Sequence, residues 1–302
     1  MNIAKYTKKL LILGALIFVV AGGILGTYGL NYGIDFTGGA LTEVSYEVAP
    51  EQALLEERLG AQFEEGYSLR SSVDSDGNTG YILRTRDLSE EERETVYEAL
   101  TSVGEGGTVT RFASIGPVIG EELKDKASWA IAGVVLITIF YVAFAFRKVP
   151  KPVGSWTYGG ITILALIHDV LVPTTVMSIL GVTMGAEVDV LFVTALLAVL
   201  GYSVNDTIVV FDRVRENLLL NEEKKTGKTF ETVVNESVSD TVVRSINTSL
   251  TTILALGALY FLGGATTQLF ALTLIVGVLA GTYSSLFIAN PLLIAASRRK
   301  KA

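Results

Sequence analysis

Six runs of nearly charge-free, apolar sequence, at residues 10–30, 127–146, 155–182, 188–211, 245–263 and 266–296, decide most of what this chain can become. Each is about as long as the roughly 20 residues with which an α-helix crosses some 30 Å of hydrocarbon. Inside lipid a backbone must satisfy its own hydrogen bonds, so the runs predict six membrane-spanning helices. The alternating ten-residue segments of an outer-membrane barrel are missing. Composition agrees: 50% of the 302 residues are hydrophobic and 18% are charged, a balance that excludes an ordinary cytosolic enzyme. With no cysteine the chain has no disulfide, thiol nucleophile or thiolate metal site, and its single histidine argues against a histidine-built metal centre. Neither a cofactor nor a catalytic constellation is expected.

Orientation follows from Lys and Arg, which keep short loops cytoplasmic. Lys5, Lys8 and Lys9 precede span 1, and Arg147, Lys148 and Lys151 separate spans 2 and 3. Arg213, Arg215, Lys224, Lys225 and Lys228 separate spans 4 and 5, and Arg298, Arg299, Lys300 and Lys301 follow span 6. The connections at 181–189 and 263–268 carry none. Both termini are therefore expected in the cytoplasm, with the chain a multi-pass protein of the cytoplasmic membrane. Span 1 lacks an A-x-A-like cleavage site and reads as a retained anchor. Loop 212–243, with Val214, Leu218, Leu219, Phe230, Val233, Val234 and Val238 set among charges, reads as short amphipathic helices along the membrane face.

The expected organisation is residues 1–30 as N-terminus and span 1, 31–127 as an outer domain, and 128–302 as spans 2–6. The insert carries 20 Asp and Glu against 8 Lys and Arg, a net −12 within a chain of −7. Long acidic segments cross membranes readily, so it should lie outside; nucleic-acid phosphates would be repelled. Its pattern predicts strand 41–47, helix 50–60, strands 67–74 and 80–87, helix 89–103 and strand 108–114. This βαββαβ order is the plan of a small α+β, ferredoxin-like domain. Pro50 at a helix start, Ser89 and Glu92 as a capping box, and Asp76-Gly77-Asn78 as a hairpin turn support the boundaries. The acids Glu90, Glu91, Glu92, Glu94 and Glu98 read as a solvated helix face.

An ionisable group in lipid costs about 2.5–3.5 kcal/mol on insertion scales, so the few present are informative. They are His168 and Asp169 in span 3, Asp206 in span 4 and Arg244 at the start of span 5. Asp206 has Tyr202, Ser203, Asn205 and Thr207 around it, and Arg244 heads a polar stripe with Asn247, Thr248 and Thr251. Pairing Asp206 with Arg244 would lower the cost of both. Such a pair is either a structural lock or a carboxylate whose protonation alternates. Asp169 is expected to hydrogen-bond a neighbouring helix near the Pro173 kink, with a second relay or gate as the other reading. Asp169, Tyr202, Asn205, Asn247 and Thr248 are the further candidates for relay or gating. Gly22 and Gly26, and Gly277 and Gly281, are G-x-x-x-G pairs that permit close helix approach.

These residues also carry a resemblance. GIDFTGG (33–39), IGPVIGEEL (115–123), HDV (168–170), GYSVNDTIVVFDRVREN (201–217), the Arg244 segment ending SLTT, ALYFLGG (258–264) and GTYSSLFIANPL (281–292) occur in order. The set resembles the SecF branch of the SecD/SecF protein-export membrane proteins. That resemblance implies a fold similar to resistance–nodulation–division transporters, with SecD supplying the other half of the membrane unit and lipid around both. It implies that the proton-motive force is used to help preproteins through the SecYEG channel. It places proton conduction on Asp206 and Arg244, and marks Gly33, Asp35, Phe36, Gly38 and Gly39 as a structural motif after span 1. The competing readings are half of a proton-coupled small-molecule or lipid exporter, and a scaffold without ion flux. The single insert of about 80 residues is small for a drug-binding region, which favours export of proteins.

In a cysteine-free chain, orientation is directly testable. Single cysteines at Lys5, Asp76 and Lys225 should react with an impermeant maleimide from inside, outside and inside. Labelling of position 76 from the cytoplasm would overturn the arrangement.

Overall fold

A computed structural model of the chain describes residues 3–60, 63, 66–73, 79–147, 149 and 152–299. Among them six helical stretches are long and apolar enough to cross a membrane. These are α1 (Ile3–Tyr28), then, beyond the inserted domain, α5 (Pro117–Ala145), α6 (Ser155–Met184), α7 (Val190–Glu223) and α8 (Phe230–Leu262). The sixth is α9 (Ala265–Ser284), which continues through a π-helical turn (Ser285–Ala289) into α10 (Asn290–Arg299). α9 packs on α6, α7 and α8 and is the central element of the membrane unit. α1 and α5 expose apolar side chains along much of their length, as lipid-facing helices do.

The insert consists of α2 (Ile34–Thr37), β1 (Gly39–Ser45), α3 (Gln52–Gly60), β2 (Ser68–Val73), β3 (Thr79–Thr85), α4 (Glu90–Thr101) and β4 (Thr108–Ile115). The strands form one antiparallel sheet in the order β2-β3-β1-β4, the split arrangement expected of βαββαβ. Val44, Tyr46, Leu55, Leu59, Leu83, Val96 and Leu100 make its core, between the sheet and the two helices. The Tyr46 hydroxyl is tied down there, donating to the Leu100 carbonyl at 2.8 Å. Ser89 and Glu92 form the reciprocal capping box of α4, and Glu90, Glu91, Glu94 and Glu98 lie exposed beside it. α3 begins at Gln52, so Pro50 precedes the helix and uses its carbonyl to accept from the Tyr81 hydroxyl. The proposed turn Asp76–Asn78 lies outside the described residues; the flanking strands pair in register up to Val73 and Thr79.

Two expectations need correction. The helix of span 2 begins at Pro117, ten residues before the apolar run, because Pro117 fits the first helical turn and nothing between it and Ala127 breaks the helix. Loop 212–243 does not form separate helices on the membrane face. α7 runs on to Glu223 and α8 starts at Phe230, so the two spans extend as one antiparallel pair past the membrane. The apolar residues fit this better than a surface role, since Val210, Val214 and Leu218 face Phe230, Val233, Val234 and Val238 in one buried cluster. Ile3 of α1 and Leu293 and Ile294 of α10 close it. Leu219 alone of the named apolar set stays exposed. Arg213 bridges the pair by bonding Asp240 at 2.8 Å.

The outer domain should fold without its spans. A segment covering residues 38–116 should unfold cooperatively in urea, and Leu100→Ala, emptying a site that is 0% exposed, should cost it about 2–5 kcal/mol. Its acid stability carries a specific mark. The Arg86 guanidinium, then the Ser89 backbone, hold Glu92 down at about 2 against an ordinary 4.5. A depressed carboxylate stabilises the fold above its unfolded value and loses that effect as pH falls through the folded one. Unfolding midpoints should therefore drop between pH 4.5 and 2, and Glu92→Gln should lack that component.

Candidate intramembrane polar site

The site exists because α7 and α9 come close. At Gly277 an added Cβ would lie 2.2 Å from Val199 Cγ2, and at Gly281 it would lie 2.9 Å from Ser203 Cβ. Only hydrogen fits at either position, so this G-x-x-x-G pair is a true contact. The pair at Gly22 and Gly26 has nothing within 4 Å in this chain.

Across that contact, hydroxyls and carboxylates interlock. Asp169 of α6 is 0% exposed. One of its oxygens sits 2.9 Å from His168 Nδ1; the other accepts from Ser203 of α7 and, at 2.8 Å, from Ser284 of α9. As expected, Asp169 bonds a neighbouring helix, and it links α6 to two of them, α7 and α9. His168 packs its ring between Phe18 of α1 and Tyr283 of α9, with its Nε2 buried and without a hydrogen-bond partner. One residue further along α9, Ser285 pairs with Thr207 of α7 at 3.0 Å. The π turn that starts there frees a carbonyl, which Asn290 satisfies by donating from Nδ2 to Ser285 at 2.7 Å.

Asp206 is half-buried one turn beyond Ser203. Its Oδ1 accepts from the Ser245 hydroxyl of α8 at 2.5 Å, whereas Oδ2 is buried with no partner. This corrects the expected ion pair: among the described residues none joins Asp206 to Arg244. The reason is a rotation of about 100° per residue along a helix. Arg244 precedes Ser245 and lies on the exposed side of α8 with Asn247, Thr248 and Thr251. It is next in sequence to the serine that holds Asp206. Asn205 is likewise exposed on α7. Tyr202 reaches inward, its hydroxyl 3.3 Å from Ser249, which in turn is 2.5 Å from Thr282 of α9.

The sequence reading missed Ser245, which holds Asp206, and the buried hydroxyl row it belongs to. Ser237, Thr241, Ser245 and Ser249 are all buried on α8, and their spacing of four was the available signal. Thr282, Ser284 and Ser285 were missed as well, whereas Ser203, read from the sequence as a neighbour of Asp206, bonds Asp169. What the arrangement offers chemically is two carboxylates on adjacent helices, both held by hydroxyls that can donate or accept.

Comparison with known proteins now decides the family. The model described as protein export membrane protein SecD/SecF, C-terminal, matches residues 95–299, and that of the SecD/SecF GG motif matches 23–49. The chain belongs to the SecD/SecF protein-export membrane proteins. Protein translocase subunit SecF of Thermobaculum terrenum is 40% identical, over 97% of this chain and 93% of that protein. Its counterpart from Pseudomonas aeruginosa is 38% identical over 91% of this chain and 85% of its own length. A crystal structure of SecDF from Thermus thermophilus superimposes with a TM-score of 0.84 at 32% identity, over 99% of this chain. The chain spans 39% of that longer protein. As a SecD/SecF member it is an auxiliary subunit of the protein translocase, and none of these likenesses favours a small-molecule exporter.

The two glycine pairs should behave differently in the isolated subunit. Gly277→Ala should lower its unfolding midpoint in detergent, an overpacking cost of about 1–3 kcal/mol, whereas Gly22→Ala should leave it unchanged or raise it. Equal losses at both would mean that the α7–α9 contact is not the tight one.

Proposed function

We propose that this chain, together with a SecD-type half, draws on the proton-motive force to assist preproteins leaving the SecYEG channel on the outer side, and that Asp206 is its proton carrier. One observation carries the reading: a membrane carboxylate with one oxygen bonded to Ser245 and the other buried without a partner. A structural lock would use both oxygens and a direct cation. A carrier needs an oxygen free to take a proton and a neighbouring charge to favour giving it up, which Arg244 supplies from the next helix.

The exposed stripe Arg244, Asn247, Thr248 and Thr251 supports a partner half. Facing lipid, such a row would be costly, so a second protein surface covering it is the economical arrangement. Protein translocase subunit SecDF is a longer chain, of which this one spans 39%, and SecDF is solved in more than one form. This chain superimposes on the super-membrane-facing form with a TM-score of 0.66, against 0.84 for the other. A fold with two arrangements is what an alternating carboxylate requires. One charge crossing the membrane gains about 2.3 kcal/mol per 100 mV, enough to bias two states of similar energy. In this reading both termini and the α7–α8 hairpin tip lie in the cytoplasm, and the acidic outer domain lies where preproteins emerge. Asp169, anchored by His168 and two serines, is a second relay or gating group.

Asp206→Asn keeps shape and removes the charge. It should accumulate and assemble with its SecD partner, while proton flux in vesicles and gradient-dependent export both fall to background. Arg244→Lys should retain part of the activity at best, because an ammonium lacks the planar fork of guanidinium. Full export by an Asp206→Asn protein would remove the relay assignment, and failure of that protein to insert would favour a structural role.

A further inference from the structure

The glycine-rich segment after span 1 lies at the outer end of the molecule, far along α7 from Asp206, yet it is built as a joint. Its backbone pairs with the connection before α7: Gly33 N–H donates to the Val188 carbonyl and Val188 N–H to that of Asn31, both at 2.8 Å. Asp35 then reaches the helix itself, its Oδ2 accepting from Val190 N–H at 2.9 Å. That amide is among the first of α7, which have no partner inside the helix. Asp189 caps the next turn by accepting from Phe192 N–H at 2.7 Å. Phe36, 5% exposed, is seated among Met177, Val188, Phe192 and Leu196.

The same short segment grips the outer domain. Gly38 and Gly39 have φ of +73° and +115°, and an added Cβ would meet Pro117 Cα at 2.7 Å or the Thr85 carbonyl oxygen at 2.5 Å. Neither position admits a side chain. From the sheet, Arg84 of β3 pairs with Glu187 and Arg70 of β2 donates to the Gly185 carbonyl, both in the connection that leads into α7. Burial, with Arg70 nearby, pushes Arg84 down to about 10, while Asp35 and Asp189 oppose the shift. Burial first, and Asp35 beside it, push Asp189 up from the usual carboxylate range. Charges of both signs are thus gathered on one seam and partly withdrawn from water, which makes the seam costly to part.

From Val190 to Asp206 α7 is one helix without proline, about 24 Å long at 1.5 Å per residue. A rigid rod of that length delivers at its outer end whatever tilt or shift is imposed near Asp206. We propose that Asp35 is a positioning residue of a permanent joint that fastens the outer domain to the N-terminus of the Asp206 helix, so that the domain moves with α7. This coupling rests on the reading of Asp206 as proton carrier.

The test uses vesicles holding this chain, its SecD partner and the translocon, with proton flux and gradient-dependent export measured side by side. Asp35→Ala should keep flux within about twofold of normal while export falls about tenfold, in the range by which coupled sites usually act on one another. Asp35→Glu, which restores an acceptor, should recover part of the export. Export unaffected in Asp35→Ala, or flux and export lost together, would overturn the joint. A second variant does not depend on that protein folding well. Tyr32 and Val188 face each other in a parallel bridge, and the chain has no cysteine of its own. Tyr32→Cys with Val188→Cys should form a disulfide on oxidation and keep export, since a permanent joint has nothing to release. Absence of the disulfide, or an export loss reversed by reductant, would overturn the proposal. Normal flux in Asp206→Asn would instead remove the relay reading, and the role of the joint with it.

Discussion

The close approach of α7 to α9 is the constraint on which the membrane unit depends. A side chain at Gly277 or Gly281 would overlap Val199 or Ser203 and force the two helices apart, which would disturb the Thr207–Ser285 pair and the grip of Ser203 and Ser284 on Asp169. In hydrocarbon those groups have few alternatives, since water is not there to take their place. Packing and polarity are one problem here. Glycines let small polar residues touch, and touching makes them affordable inside lipid.

α8 shows how one residue of offset divides two tasks. The stripe Ser237, Thr241, Ser245 and Ser249 is buried and reads the interior, holding Asp206 and extending to Thr282. The stripe Arg244, Asn247, Thr248 and Thr251 is exposed. A helix with two adjacent polar rows inside a membrane has its own half on one side and room for another protein on the other. Arg244 stands at the boundary, exposed and yet next in sequence to the serine that binds the carboxylate.

Both ends of the unit are closed by means other than lipid. At the end that holds the α7–α8 turn, α7 and α8 continue beyond their apolar runs and enclose an apolar cluster with α1 and α10. At the opposite end the segment around Asp35 and the connection before α7 share backbone hydrogen bonds and charges of both signs. The inserted domain is consequently attached at more than the two chain crossings, and its sheet meets the connection before α7 through Arg70 and Arg84.

The sequence by itself determined the six spans, the βαββαβ order, the α4 capping box and the polar residues that had to be buried. Each of these follows from local periodicity or from the cost of a charge in lipid, which a single segment already expresses. The family was legible too, because its motifs are contiguous. What partners Asp206 was not. Arg244 and Ser245 are neighbours in sequence, and charge complementarity alone prefers the arginine; only the rotation of α8 against α7, fixed by packing with α9, selects the serine. The same holds for residues 212–243, where the apolar pattern fits a membrane surface as well as a helix pair, and for Asp35, whose partner amide lies 155 residues away. Contacts between distant segments depend on how whole helices are placed, and that placement is a property of the assembled fold.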